Sequence, residues 1–221
     1  MSSYKNRFSP GAVRVVALAL LVTSILAGRS ALADRDDWQE PDRVMEDLHV
    51  KPGTHVADVG CGRGYFTFRM ARATGNKGKV FAVDVNEKAL ASVRNEAKRQ
   101  ELANIQTIHS EPTDTKLVAG SVHAALLCMV LHHVPKDQRP PLVESIAKAL
   151  KPGGYLFVLD LRKVHDSPFH TYEQLVSRSE AIELAKKAGL SLDAEWYYLR
   201  HQYFVRFRKP EKQTPSPAER D

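Results

Sequence analysis

The chain has 221 residues, of which 43% are hydrophobic and 26% are charged, and its formal net charge is +6. This length suits one domain with a sizeable core, and the average charged fraction excludes a fibrous or wholly disordered chain. Its two cysteines, Cys61 and Cys128, are too few for a disulfide-rich scaffold or for a structural zinc site built from cysteines.

The N-terminus has the three-part pattern of a secretory signal peptide. Residues 1–14 contain basic side chains and no acid, residues 15–27 form an apolar run, and residues 31–33 are the small-x-small triplet Ala-Leu-Ala. We expect cleavage before Asp34, which makes residues 1–33 the signal and places the mature protein in the periplasm or outside the cell. The alternatives are an uncleaved membrane anchor, although the run is shorter than the ~20 residues of a span, and a start codon chosen too early.

Removal of this segment changes the charge argument. Residues 1–33 carry four basic residues and no acidic one, so cleavage lowers the formal charge from +6 to +2. In the rest of the chain, lysine and arginine are interspersed with aspartate and glutamate, whereas a nucleic-acid-binding surface needs basic residues clustered on one face. We therefore expect no nucleic-acid partner, and no stable membrane insertion once the signal is cleaved.

The mature chain begins with a short amphipathic helix, predicted from Asp36 to Leu48. Strand-like and helix-like patterns then alternate. Strands are predicted at 55–59, 79–84, 105–109, 122–129 and 155–161, and helices at 65–73, 87–101, 137–150 and 172–188. Short apolar strands that alternate with helices indicate a doubly wound α/β fold with a mostly parallel sheet.

The end of the chain departs from this alternation. Leu190–Tyr198 and Gln202–Arg208 are two strand-like runs separated by a few residues, so they must pair as an antiparallel hairpin at the sheet edge. The prediction is a Rossmann-like seven-stranded sheet, mostly parallel, with an antiparallel C-terminal hairpin strand. The domain is expected to span residues 34–208, and Lys209–Asp221, with prolines among charges, is expected to be a disordered tail.

The clearest chemical signal is the segment DVGCGRGYF at residues 58–66. It leads a buried strand into three alternating glycines that open a helix. Glycines let a cofactor approach the backbone closely, and the N–H groups at the start of a helix favour an anionic group. The dinucleotide fingerprint needs a glycine where this chain has Tyr65, which disfavours a nicotinamide dehydrogenase. Tyr65 is instead a candidate for the mouth of the site.

Asp84 ends the next strand, 20 residues beyond Gly64. A carboxylate at this position can accept hydrogen bonds from both ribose hydroxyls of a bound nucleoside. The alternative is that Asp84 only caps the helix that follows it.

With these features, the chain resembles the class I S-adenosylmethionine-dependent methyltransferases over about residues 38–208. The matching segments are DVGCGRGYF (58–66), VFAVDV (80–85), LHHV (131–134) and LKPGGYL (150–156). The family also ends its parallel sheet with an antiparallel strand. His123 departs from the pattern, because many relatives have Asp at the start of the fourth strand.

The resemblance implies S-adenosylmethionine as the cofactor. Asp58 and the three glycines would wrap its methionine part, Asp84 would hold its ribose, and Glu111 would contact its adenine amino group. The full set of residues expected to bind the cofactor is Asp58, Gly60, Cys61, Gly62, Gly64, Asp84, Val85, Glu111 and Cys128.

The implied reaction is attack by a nucleophile of a small-molecule acceptor on a sulfonium methyl group. A general base is needed where the acceptor must lose a proton. His132 and His133 follow the fourth strand, at the edge where ligands bind in such sheets, so one of them is a candidate base. The alternative for these histidines is a structural turn. They have no third ligand at metal spacing, so no metal site is predicted.

Two further alternatives stay open from the sequence. The domain can be catalytically silent, binding S-adenosylmethionine or its product without transferring a methyl group. Cys61 and Cys128 lie near the ends of neighbouring strands, so they can pair in an oxidising compartment, or both can be small residues that line the cofactor cleft.

Overall fold

The computed structural model describes residues 35–165 and 171–211. The predicted signal segment and most of the predicted tail lie outside these residues. Residues 35–39 are helical and belong to a unit that ends at Glu40, and a second unit begins at Pro41. The helix predicted across 36–48 is therefore divided at Glu40, whose φ is +44°, because the residue before a proline is disfavoured in helical conformation.

The described residues of the second unit form seven strands, five α-helices and a short 3₁₀ helix. In chain order they are α1 (Pro41–Asp47), β1 (His55–Val59), α2 (Thr67–Thr74), β2 (Lys79–Asp84), α3 (Glu87–Arg99), β3 (Ile105–His109), β4 (Val122–Cys128), the 3₁₀ helix (Leu131–His133), α4 (Arg139–Ala149), β5 (Leu150–Leu161), α5 (Arg178–Lys187), β6 (Ser191–Trp196) and β7 (Gln202–Arg208).

The strands form one sheet in the order β3-β2-β1-β4-β5-β7-β6. Strands β1 to β5 pair in parallel, and β7 pairs antiparallel with both β5 and β6. The predicted Rossmann-like sheet with an antiparallel C-terminal hairpin is thus confirmed. The strand order reverses between β1 and β4, and in such sheets ligands bind at this reversal, outside the carboxyl ends of the strands.

Apolar layers cover both faces of the sheet, and β4 contributes to each of them. Leu126 packs in a cluster with Val44 of α1 and Met70 of α2. Its neighbour Leu127 packs in a second cluster with Ile146 of α4. This alternation follows from the two-residue period of a strand, and it explains why the parallel strands are apolar on consecutive residues.

Most element boundaries lie within three residues of the prediction, and two further element starts differ by more. Strand β5 begins at Leu150, before the Pro-Gly-Gly turn at 152–154 that was expected to precede it. Helix α5 begins at Arg178, because the Ser177 side chain accepts a hydrogen bond from Glu180 N and caps the helix there.

The ordered chain also extends beyond the predicted start of the tail. Lys209 N donates to Gly154 O, and Lys209 Nζ donates to carbonyl oxygens that include that of Leu150. The rest of the predicted tail, beyond Glu211, lies outside the described residues. None of the helices in the described ranges is long and apolar enough to cross a membrane.

Candidate cofactor and active site

The glycine loop after β1 adopts a conformation that glycine favours. Gly60 has φ +71°, and a Cβ built on it lies 2.3 Å from Val130 Cγ2. Gly64 has φ +87°, and its Cβ would lie 2.6 Å from the Phe68 ring. Gly60 N and the next amide both donate to Val83 O, so the loop is fastened to the end of β2. The backbone can thus lie against a ligand without an intervening side chain.

Asp84 connects this loop to the end of β2. Its Oδ2 accepts a hydrogen bond from Gly62 N at 2.7 Å, and its Oδ1 accepts one from Asn86 N at 2.8 Å. The helix that follows is capped by Asn86, which accepts hydrogen bonds from the first-turn amides. The alternative in which Asp84 is the helix cap is therefore wrong. A carboxylate has about four acceptor sites, so each Asp84 oxygen retains one for another donor.

A cleft of about 360 Å³ opens at the carboxyl ends of β1, β2 and β4. Four of the residues predicted to bind the cofactor line it, namely Gly60, Asp84, Val85 and Glu111. Val85 is 53% exposed, which offers an apolar surface to a flat ring. The Glu111 carboxylate is exposed and pairs with Lys116 at 2.8 Å.

The other predicted cofactor residues do not line the cleft. Gly62 and Gly64 shape the loop beside it. Asp58 is only 3% exposed, and its Oδ2 accepts a hydrogen bond from Thr67 Oγ1 at 2.6 Å, so it joins β1 to the start of α2. Asp58 therefore supports the loop from behind.

Cys61 and Cys128 are buried, and no disulfide joins them. Neither lines the cleft, contrary to the expectation that both would. Burial raises the pKa of the Cys61 thiol, and the nearby carboxylates of Asp58 and Asp84 raise it further. Cys61 is therefore protonated at neutral pH and is not a nucleophile.

The structure separates the roles of the two histidines. His133 lines the cleft. The His132 side chain is fully buried, and its Nδ1 lies 2.5 Å from Asp160 Oδ1. The two imidazole rings are neighbours, with centroids 4.1 Å apart. Only His133 is placed to meet a ligand in the cleft, whereas His132 lies behind it.

Two residues of this region were not identified from the sequence. Asp160 lies near the end of β5, and its Oδ1 also accepts a hydrogen bond from Leu161 N. A single acid in the apolar run 156–161 was the available signal, because a buried carboxylate needs a partner. Met129 lines the cleft with φ +59°, a rare conformation for a non-glycine residue that is concentrated at functional sites. No local sequence pattern marks Met129 as a residue of the site.

No three His, Cys, Asp or Glu side chains within residues 35–165 and 171–211 come together as a metal site requires.

Comparison with known proteins gives a match over part of the chain. Residues 56–154 match the family model of the methyltransferase domain. This segment contains the glycine loop, Asp84 and the two histidines. Over these residues the chain is similar to methyltransferase domains.

The methyltransferase domain is similar to curated enzymes of quinone metabolism. It is 26% identical to the 2-phytyl-1,4-naphtoquinone methyltransferase of Trichormus variabilis, over 69% of this chain and 66% of that enzyme. It is 27% identical to the ubiquinone biosynthesis O-methyltransferase of Coxiella burnetii, over 71% of this chain and 77% of that enzyme. Among solved structures, a SAM-dependent methyltransferase of Aquifex aeolicus superposes with a TM-score of 0.72 at 23% identity, covering 79% of this chain and 92% of that one.

The cofactor of this class is S-adenosylmethionine, and the cleft residues fit it. Gly60 leaves the backbone open where a Cβ would collide with Val130. Asp84 retains acceptor sites for ribose hydroxyls, and Val85 and Glu111 lie beyond it, where an apolar surface and a carboxylate suit a purine ring with an amino group.

Proposed function

We propose that this domain transfers a methyl group from S-adenosylmethionine to a small molecule bound in the same cleft. The observation that carries the proposal is the position of Asp84, whose carboxylate is held by Gly62 N while it faces a cleft that also contains His133. The cofactor supplies a methyl group already activated on a sulfonium. The domain's main tasks are to orient the acceptor and to exclude water.

The acceptor's proton is the remaining chemical problem. We infer that His133 takes it, because this histidine lines the cleft. His132 supports this residue from behind: its Nδ1 is fixed by Asp160, and its ring packs on that of His133. In this proposal His132 and Asp160 are positioning residues, and His133 is the general base.

The cleft also favours one class of acceptor. Its wall beyond Asp84 is mostly apolar and includes Met129, Val130, Val134 and Leu142. Two of the similar enzymes are named for a naphthoquinone and for ubiquinone biosynthesis. We propose a phenol or a reduced quinone as the acceptor, since the hydroxyl of either loses a proton as it is methylated.

A transfer assay tests the proposal. Purified protein is incubated with S-adenosylmethionine labelled at the methyl group and with panels of phenols, quinols, thiols and amines. We expect label in a phenol or quinol, and at least tenfold less of it at a limiting cofactor concentration when Asp84→Ala replaces the wild type. Tight cofactor binding without transfer to any panel or cell extract would favour the catalytically silent alternative. Failure to bind either the cofactor or S-adenosylhomocysteine would refute both.

We also propose that the mature chain acts outside the cytoplasm. The support is the three-part pattern of residues 1–33, with its basic start, apolar run and small-residue triplet.

A further inference from the structure

A second groove lies at the amino ends of the strands, on the side of the sheet opposite the cofactor cleft. It has a volume of about 590 Å³ and is formed where β1, β4 and β5 begin. Its lining includes Lys51, His123, Lys151 and Arg206, together with the aromatic rings of Tyr155 and Phe157. We call it the basic groove. The methyl-transfer proposal makes no use of any of these residues.

The insertion in β5 places Lys151 against His123. Val122 pairs with Leu150 while Ala124 pairs with Tyr155, so four residues of β5 bulge opposite His123 alone. Lys151 Nζ then lies 2.9 Å from His123 Nε2. Gly154 permits this packing, because a Cβ there would lie 2.9 Å from His123 O.

The tautomer of His123 decides how it meets Lys151. His55 N–H lies 3.0 Å from His123 Nδ1, and His55 O lies 3.4 Å from the same nitrogen. The shorter contact favours Nδ1 as the acceptor, and in that tautomer of the neutral imidazole Nε2 carries the hydrogen. This N–H and the Lys151 ammonium are then two adjacent donors. An oxyanion beside this pair, within hydrogen-bond distance of each nitrogen, can accept from both once the Lys151 side chain turns toward it.

Charge in the basic groove also favours an anion. No carboxylate is among its lining residues. Two acids near the groove are paired: Asp193 with the lining residue Arg206 at 2.6 Å, and Glu211, which lies against Gly153, with Arg208 at 2.6 Å. Within the described part of the chain, neither Lys51 nor Lys151 forms an ion pair with a carboxylate. Lys51 and Lys151 therefore carry the groove's uncompensated positive charge.

The groove has an apolar side as well. Tyr155 and Phe157 line it next to the cationic end, and the Arg206 guanidinium lies 4.9 Å from the centre of the Tyr155 ring. A flat or apolar group placed here is removed from water, which adds to the attraction of the charges.

We propose that the basic groove binds a small organic anion. A carboxylate, sulfonate or phosphate oxygen bridges His123 Nε2 and Lys151 Nζ, and an apolar or aromatic body lies on Tyr155 and Phe157. The site is separate from the cofactor cleft, so its occupancy does not require methyl transfer.

Naphthalene-2-sulfonate is a suitable probe, since it combines an aromatic body with a charge that stays constant around neutral pH. The full chain is titrated by calorimetry and by NMR of the histidine rings. We expect binding that shifts the His123 ring signals. Lys151→Gln should weaken binding about tenfold, and His123→Asp should abolish it by placing a carboxylate beside Lys151. The control is Lys98→Gln on the exposed face of α3, which should leave the affinity unchanged.

Two comparisons separate this proposal from others. Equal binding of uncharged 2-naphthol, or equal affinity of the sulfonate for all variants, would reduce the groove to a non-specific apolar surface and overturn the proposal. Each variant is also titrated with S-adenosylhomocysteine, which should bind as it does to wild type and so shows that the fold is intact. If the wild type does not bind S-adenosylhomocysteine, that result contradicts the proposed function, whether or not the sulfonate binds.

Discussion

At the scale of single residues, Asp84 combines two tasks that the sequence suggested only in part. Its carboxylate holds the glycine loop through Gly62 N and the start of the next segment through Asn86 N. Because these bonds fix both oxygens in place, the remaining acceptor sites face the cleft without a further loss of side-chain freedom. If Asp84 holds the ribose, as we propose, its carboxylate is already in position before the cofactor binds.

Removal of this carboxylate should weaken the cofactor complex. Hydrogen bonds to a charged group contribute roughly 1.5–3 kcal/mol each, and ~1.4 kcal/mol corresponds to a tenfold change in affinity. We expect Asp84→Ala to bind S-adenosylmethionine at least tenfold, and up to several hundredfold, more weakly than wild type, with Asp84→Asn in between. Calorimetric titration measures this, and Glu183→Ala on the exposed face of α5 is the control for lost charge. Equal affinities, or tight NAD binding by wild type, would contradict the assignment.

Substitutions of the two histidines should affect different properties, turnover for His133 and thermal stability for His132. His133→Ala is expected to lower turnover by about 10²–10⁴ while cofactor affinity stays within a few-fold, because a general base contributes that much to rate. His132→Ala leaves the buried Asp160 carboxylate without its imidazole partner. The loss of one partner of a buried pair costs roughly 3–5 kcal/mol, so the thermal midpoint should fall by on the order of 6–20 °C.

Turnover and thermal melts of both variants check this division. Full activity in His133→Ala at neutral pH would exclude it as the base. An unchanged melting temperature in His132→Ala would show that the contact with Asp160 does not stabilise the fold.

At the scale of elements, the sequence predicted strands better than it predicted contacts. β1, β2 and β3 occur at the predicted residues, because an apolar run bounded by turn residues is a local signal. The glycine loop and Asp84 were also identifiable, since the chemistry of a nucleoside site demands them at a fixed spacing.

Contacts between distant residues were less predictable. Asp160 and His132 are 28 residues apart, and only the pairing of β4 with β5 brings them together. The bulge of β5 likewise arises from its register with β4, which no local pattern encodes. The sequence thus suggested both histidines as bases, and the topology placed only His133 in the cleft.

The glycine loop allows a matched test of how tightly it is packed. Gly60 and Gly62 both have positive φ, yet a Cβ on Gly60 meets Val130, whereas a Cβ on Gly62 has nothing within 4 Å. Positive φ costs a non-glycine residue roughly 1–2 kcal/mol, so Gly62→Ala should lose about that much stability. Gly60→Ala should lose more, and it should also weaken cofactor binding because the loop must shift.

Chemical denaturation measures the stability of these two variants, and calorimetry measures their affinity for the cofactor. Val130→Ala, combined with Gly60→Ala, should recover part of the loss, as expected for residues in direct contact. Equal losses for the two glycine variants would mean that the contact with Val130 is unimportant.

At the scale of the whole molecule, the two ends of the strands carry different side chains and different grooves. We propose methyl transfer at the carboxyl ends of the strands, where Asp84 and His133 line one cleft. The basic groove belongs to the opposite ends, where Lys151 and His123 lie together. The apolar layers of the sheet separate these sites, so substitutions at one end should leave ligand affinity at the other unchanged.

Export is the last prediction, and it concerns the chain as the cell makes it. If residues 1–33 are a signal, the protein outside the cytoplasm begins at Asp34 and has a formal charge of +2 instead of +6. Small side chains are needed at the cleavage site, so Ala33→Phe should block processing and leave the longer chain in the membrane fraction. The matched control is Leu32→Phe, which changes the middle residue of the triplet and should still be cleaved.

Fractionation followed by N-terminal sequencing of the wild type and both variants measures this. A protein that keeps Met1 and stays in the soluble cytoplasmic fraction would contradict export. A protein that keeps Met1 but sediments with membranes would contradict cleavage alone and favour the anchor. An exported enzyme must also receive its methyl donor outside the cytoplasm, because the cofactor is consumed with each transfer. We therefore expect the acceptor to be methylated outside the cytoplasm only in cells in which S-adenosylmethionine reaches that compartment.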